Sequence, residues 1–291
     1  MASSESHSAS STQYNEIADV YSALYPPGGD TNMDFPVAAI EAHQLYLTVT
    51  DPAIDIRGKK VLDLACGNGH NSCKFLSWGA ESVTGLDISD SMLEVGRADA
   101  RRQNIPASKL RYVLGDASDE DLVVQGAPFD MVTGCWLLNY AHDASSMTKF
   151  WRFIGKNLKP GGHWVGLTIP PLVSGQPWAG QMLDYFMSPS GPWERCGNGG
   201  KVLATLPNGD GFKCRVDLYL PGKPKDVASF DNYYLTLDIF ERSCADSGCF
   251  ERPVWRAFRV PDELSGLKLA GFWNDLILQP HCRVLTAKRK D

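Results

Sequence analysis

The run Val61-Leu62-Asp63-Leu64-Ala65-Cys66-Gly67-Asn68-Gly69 places a carboxylate inside an apolar strand and two glycines in the turn that follows. Glycine lets a backbone approach a ligand closely. In an open α/β sheet the first such turn lies at the carboxyl ends of the strands, where ligands bind. The dinucleotide fingerprint needs Gly or Ala three residues after the second glycine, and Ser72 stands there instead, which argues against a nicotinamide cofactor. Asp63, four residues before Gly67, would repel a pyrophosphate and attract a sulfonium or ammonium group. The chemistry expected is therefore the holding of a ligand that is cationic at its reactive end.

Two more acids recur at strand ends. Asp87 follows Gly67 by 20 residues, in a position to accept both hydroxyls of a ribose. Asp116, with Ala117, closes the third strand where an adenine amino group could be held, and Ile88 and Met92 offer apolar contact to a ring. Each residue alone has a plain structural role open to it: Asp63 as a buried acid, Asp87 and Asp116 as turn or helix caps, Met92 as core. Three acids at three consecutive strand ends around a Gly-x-Gly turn read as one site.

The elements that must carry these residues alternate. Residues 14–24 and 35–48 read as helices. Strands are expected at 60–65, 82–86, 109–114, 129–135 and 163–169, with helices at 69–78, 89–103 and 143–158 between them. Such alternation implies right-handed crossovers and a parallel sheet. After Ile169 the pattern breaks into a Pro/Gly-rich stretch. There 201–206 and 212–220 flank Asn208-Gly209, a dipeptide suited to a tight hairpin. A helix at 236–247, a strand near 252–260, a helix near 267–278 and a last strand at 283–287 complete the chain. The fold class expected is α/β, a Rossmann-like, doubly wound, mostly parallel seven-stranded sheet with an N-terminal helical lid and a small β-rich insertion after the fifth strand. Residues 1–13 read as a disordered tail, 14–50 as an N-terminal helical unit and 51–291 as the main domain, with 170–234 as its substrate-side insertion.

On these motifs, Tyr14 to Ile169 resembles the class I S-adenosylmethionine-dependent methyltransferases, in particular the ubiquinone/menaquinone-type small-molecule group. The resemblance implies that the stretch Asp63-Leu64-Ala65-Cys66-Gly67-Asn68-Gly69 holds the methionine part, Asp87 the ribose, and Asp116-Ala117 the adenine. Cys135-Trp136-Leu137-Leu138-Asn139-Tyr140-Ala141 and Tyr233-Tyr234-Leu235 with Phe240-Glu241 look like the toxoflavin N-methyltransferase type. The segment YNEIADVY is similar to that type's lid helix, whose tyrosines, here Tyr14 and Tyr21, close over the cofactor. The resemblance thus implies S-adenosylmethionine as cofactor, S-adenosylhomocysteine as product, Cys135 and Trp136 beside the cofactor, and methyl transfer to N or O of a small aromatic or heterocyclic metabolite.

An in-line displacement at a sulfonium draws much of its rate from alignment and needs no base when the acceptor already carries a free lone pair. A phenol or hydroxyl acceptor would benefit from one, and His142, just past the fourth strand, is the candidate, although Asp143 beside it also makes a helix N-cap. The acceptor pocket is expected from Asn139, Tyr140, Trp178, Tyr233 and Tyr234, among aromatics that could equally form the insertion's own core. Cys66, His70 and Cys73 lack a fourth ligand, so no metal is expected. A formal charge of −6 disfavours a nucleic-acid partner, and no apolar run suggests a membrane span. Eight scattered cysteines without a secretory pattern point to the cytoplasm. Oligomeric state is not set by the sequence. Two other functions use the same features: a ring-forming or rearrangement enzyme that exploits a bound sulfonium, and a non-catalytic binding protein.

Overall fold

Apolar runs such as Lys60–Leu64 and Phe129–Cys135 are buried along almost their whole length, as strands covered by helices on both faces must be. The computed structural model describes residues 13–28, 36–172, 198–220, 223–260 and 280–291, together with Asn274 and Ile277. Helices α1 (Gln13–Leu24) and α2 (Pro36–Val49) precede β1 (Lys60–Leu64), α3 (His70–Ser77), β2 (Ser82–Asp87), α4 (Asp90–Arg102) and β3 (Leu110–Leu114). Strand β4 (Phe129–Cys135), the 3-10 turn Leu137–Tyr140, α5 (Ala144–Asn157) and β5 (Leu158–Thr168) follow. The insertion supplies β6 (Asn198–Thr205), β7 (Gly211–Leu220) and β8 (Lys223–Leu235), after which come α6 (Leu237–Asp246), β9 (Val254–Trp255) and β10 (Arg283–Lys288).

The main sheet has seven strands in the order β3-β2-β1-β4-β5-β10-β9. Its first five strands are parallel, and β10 runs antiparallel to both β5 and β9. This is the doubly wound, Rossmann-like architecture that the alternation predicted, with the order reversing at β1 and β4. Ligands bind at such a switch point. One apolar cluster, including Trp151, Phe153, Trp164 and Phe240, lies under α5 and α6. A second, with Leu45, Phe75, Val83 and Val165, lies under α2, α3 and α4.

The insertion is a separate three-stranded antiparallel sheet in the order β6-β7-β8. Asn208 and Gly209 take φ of 60° and 73° at the β6–β7 turn, the positive values a tight hairpin needs. Its third strand, β8, was not anticipated, and the strand expected near 252–260 is only Val254–Trp255. Strand β5 begins at Leu158 rather than after Gly162. A bulge between Phe129 and Met131 lets Lys159–Gly162 stay extended beside β4 instead of ending in a loop. The expected tail falls outside the described residues except Gln13, which is helical and exchanges two hydrogen bonds with the backbone of Asp231. The helix expected near 267–278 falls there too, apart from Asn274 and Ile277, which are helical.

Candidate active site

The carboxyl end of β1 turns through three positive-φ residues, Ala65 at 51°, Gly67 at 55° and Gly69 at 83°. A Cβ added at Gly67 would meet no atom within 4 Å, so the backbone there borders open space. A Cβ at Gly69 would run into the Tyr112 hydroxyl, and that glycine is required by packing. On the neighbouring strand end, Trp136 also takes a positive φ, 65°. Non-glycine residues held this way cost on the order of 1–3 kcal/mol each and cluster at functional sites.

Both oxygens of Asp87 grip the turn: Gly67 N–H donates to one at 2.7 Å and Ser89 N–H to the other at 2.8 Å. Asp63 is 1% exposed and accepts the Ser72 hydroxyl at 2.6 Å and the Thr133 hydroxyl at 2.9 Å. Burial, reinforced by the nearby Asp87 charge, pushes its carboxyl up to about 6 against the pull of those two hydroxyls. Burial raises Asp87 as well, opposed by its backbone donors. Among the described residues neither acid has a Lys or Arg partner. Two buried carboxylates without a counter-ion favour a positively charged guest.

Beside them lies an apolar shelf. Ile88 and Leu114, at the ends of adjacent strands β2 and β3, are 48% and 50% exposed, with buried Ala117 close in sequence. Asp116 is exposed and uses one oxygen to accept Ser118 N–H at 2.7 Å. Met92 is buried behind the Ser89 cap of α4. Leu114 was missed in the sequence, where it reads as an ordinary strand residue; its exposure is the signal.

Helix α1 lies over these turns and is tied to them. Ser89 Oγ donates to Asn15 Oδ1 at 2.7 Å, and Asn68 Nδ2 donates to Ser22 Oγ at 3.0 Å and to Tyr25 O at 2.8 Å. Along one side of the helix the rings of Tyr14, Tyr21 and Tyr25 succeed one another, with Tyr14–Tyr21 edge-on at 5.8 Å and Tyr21–Tyr25 stacked at 4.9 Å. The hydroxyls of Tyr14 and Tyr140 are hydrogen-bonded, and Tyr14 also faces Phe230 of β8 at 5.5 Å. Burial raises the phenols of Tyr14, Tyr21 and Tyr140, and Asp87 adds to each. Burial also raises the Cys66 and Cys135 thiols, helped by the Asp63 charge. Asn15 and Asn68 lie inside segments already read as motifs, but their part in tying down α1 gives no sequence signal, and Phe230 lies in no motif.

On the far side, buried Asn139 accepts the Thr168 hydroxyl at 2.8 Å and reaches toward Tyr233 O at 3.4 Å, joining the ends of β4 and β5 to β8. Tyr233 and Tyr234 point to opposite faces, as successive strand residues must. Tyr234 stacks on Phe212 at 4.8 Å in the insertion's small core, whereas Tyr233 lies 6.1 Å from the His142 ring. The two cannot wall one pocket together. His142 has 61% of its side chain exposed and precedes the capping box in which Asp143 accepts Ser146 N–H at 2.7 Å. Trp178 lies outside the described residues.

This sheet order, with acids and a glycine turn at its switch point, is a doubly wound α/β architecture with a ligand site at the carboxyl ends of its strands. Residues 61–162 match the family described as a methyltransferase domain. Over 121 residues the chain is 35% identical to the ubiquinone biosynthesis O-methyltransferase of Proteus mirabilis, covering 42% of this chain and 46% of that one. It is 34% identical over 178 residues to the ubiquinone/menaquinone biosynthesis C-methyltransferase of Idiomarina loihiensis, covering 59% and 65%. The chain thus spans about half the length of the O-methyltransferase it matches. A crystal structure of an S-adenosylmethionine dependent methyltransferase from Mesorhizobium loti shares the fold, with TM-score 0.52, 21% identity and coverage of 85% and 98%.

Proposed function

We propose that this chain is an S-adenosylmethionine-dependent methyltransferase acting on N or O of a small, ring-bearing metabolite. The observation that carries the reading is the pair of buried carboxylates, Asp63 and Asp87, without a Lys or Arg partner among the described residues, beside a backbone turn open at Gly67. The donor set fits the cofactor: anionic where its sulfonium and ammonium lie, apolar where its ring lies. When bound, S-adenosylmethionine supplies a methyl group on positively charged sulfur.

The chain's residues then divide the work. Ala65, Cys66, Gly67 and Gly69 line the methionine end, with Asp63 acting through its field, because both of its oxygens already accept hydroxyls. Asp87 has lone pairs left for the ribose hydroxyls after binding Gly67 and Ser89. Ile88 and Leu114 sandwich the adenine, Met92 packs behind them, and Asp116 and Ala117 meet its edge. Tyr14 and Tyr21 cover the site and exclude water, while Cys135 and Trp136 separate cofactor from acceptor. Tyr140 with Phe230 walls the acceptor side, Asn139 holds the Tyr140 turn in place, and Tyr233 stands at the rim near His142.

Both matched relatives are named as quinone-pathway methyltransferases, which supports a ring-bearing acceptor here. No helix among the described residues is long and apolar enough to cross a membrane, and no group there has the makeup of a metal site. Among the described residues seven cysteines are unbridged, which supports a reducing compartment and hence the cytoplasm. The test is titration with S-adenosylmethionine and S-adenosylhomocysteine, followed by transfer of a labelled methyl group to a panel of phenols, hydroxylated heterocycles and amines. Failure to bind either cofactor form refutes the reading.

A further inference from the structure

Along β8, Phe230, Asn232 and Tyr234 alternate and so share one face, with Asn232 set directly opposite Cys214 of β7. That face is turned toward α1, because the Phe230 ring meets Tyr14 at 5.5 Å. Asn232 is 4% exposed and lies in no motif. Cys214 donates its S–H to Asn232 Oδ1 at 2.8 Å. Burial, with the Asp231 charge behind it, pushes that thiol up to about 12, so it keeps its hydrogen and fixes which end of the amide faces it. The other end, Nδ2, donates to no group among the described residues. Unlike the unpaired indole nitrogens of Trp151 and Trp164, it is not sealed from open space. A buried amide hydrogen without an acceptor costs free energy, which a ligand that supplies one recovers.

Cys214 lies within electrostatic reach of Tyr140, and Asp87 reaches both Tyr140 and Tyr14. Asn232 therefore stands across from the cofactor turns with the two phenols between. The hydrogen-bonded hydroxyls of Tyr14 and Tyr140 hold one hydrogen between their oxygens and leave the other over. Burial keeps both phenols protonated. We propose that Asn232 is a specificity-determining residue of the acceptor side, donating Nδ2–H to a ring carbonyl oxygen that the methyl acceptor carries beside the atom to be methylated. This rests on the methyl-transfer reading above. A carbonyl oxygen brings lone pairs and no hydrogen, and so suits a wall that presents the Asn232 amide hydrogens and a spare phenol hydrogen. An ammonium substituent brings only hydrogens and would leave both sides unpaired. Such a site rejects an analogue that lacks the matching group, because its own buried polar atoms are then left without partners.

The test compares 7-hydroxycoumarin with 2-naphthol, two fused bicyclic phenols of similar outline of which the coumarin alone has a ring carbonyl. Each is titrated by calorimetry into the full chain loaded with S-adenosylhomocysteine, at a pH where both phenols are protonated. The coumarin should bind about three- to tenfold more tightly, and Asn232→Asp should abolish that preference. The aspartate keeps an oxygen to accept the Cys214 thiol and loses the N–H donor, so a merely structural Asn232 would leave the preference in place. Asn232→Ala should abolish it too, and is read instead where circular dichroism shows that the aspartate variant does not fold. Equal affinities in the unmodified protein overturn the proposal, as does failure of the coumarin to bind or a preference that survives in a folded variant. Failure of the methyltransferase reading is distinct, because it shows as no binding of S-adenosylhomocysteine at all.

Discussion

Both oxygens of Asp87 are already bonded to backbone N–H groups, so this side chain shapes the turn as well as offering lone pairs to a ligand. Its removal should act twice, through lost ribose contacts and through a loosened Gly67. Asp87→Ala is expected to weaken S-adenosylmethionine binding at least about tenfold by calorimetry, since a hydrogen bond involving a charge contributes about 1.5–3 kcal/mol. Unchanged affinity would show that the ribose lies elsewhere. Ala65 makes the opposite kind of statement. It holds a φ of 51° that favours glycine, and Ala65→Gly should relieve strain and raise the melting temperature by about 2–4 °C. A drop in melting temperature would mean that the methyl group's packing outweighs the backbone strain.

At the scale of elements, α1 is held to the cofactor turns by single polar contacts rather than by a deep apolar stripe; only Ala18 and Leu24 of the helix are buried. Losing one neutral hydrogen bond costs about 0.5–1.5 kcal/mol. Asn15→Ala should therefore raise the dissociation constant for S-adenosylmethionine about two- to tenfold while leaving global stability nearly unchanged. Amide exchange over residues 13–25 should speed up. Equal exchange in both proteins would show that Asn15–Ser89 does not hold the helix. The helix itself was legible, because Ile17, Val20 and Leu24 recur at helical spacing, and so were the five parallel strands, whose apolar runs and glycine stops are local signals. What escaped were features set by tertiary partners. Strand β8 has little apolar alternation of its own and is defined by pairing along β7 from Leu235 back to Lys223. Leu114 looks like core until β3 proves to end at an open edge. The acids around the glycine turn could be read because a Rossmann-like sheet brings consecutive strand ends together whatever lies between them.

For the whole molecule, the consequence of burying acids without counter-ions is a coupling between cofactor, charge and stability. Asp63 at about 6 lies above its value in an unfolded chain, about 3.9, so the native state holds the extra proton between those limits. Its contribution to stability is therefore greatest below that window, falls as pH rises through it, and levels off above about pH 6. A cationic guest favours the carboxylate and expels the proton. Affinity for S-adenosylmethionine should accordingly rise with pH from about 5 to 7, with a slope of at most about tenfold per pH unit, and then flatten. S-adenosylhomocysteine keeps the amino and carboxylate groups but lacks the sulfonium charge, so its affinity should vary less. In a thermal melt at pH 7, ligand at about 100 times its dissociation constant should stabilise the protein by about 2.7 kcal/mol, a rise of roughly 5–10 °C. At pH 5 the same concentration of S-adenosylmethionine should give a smaller rise, and Asp63→Asn should make the responses at the two pH values converge. Parallel pH profiles for the charged and uncharged ligands would sever the link between the buried carboxylates and the sulfonium on which the proposed chemistry depends.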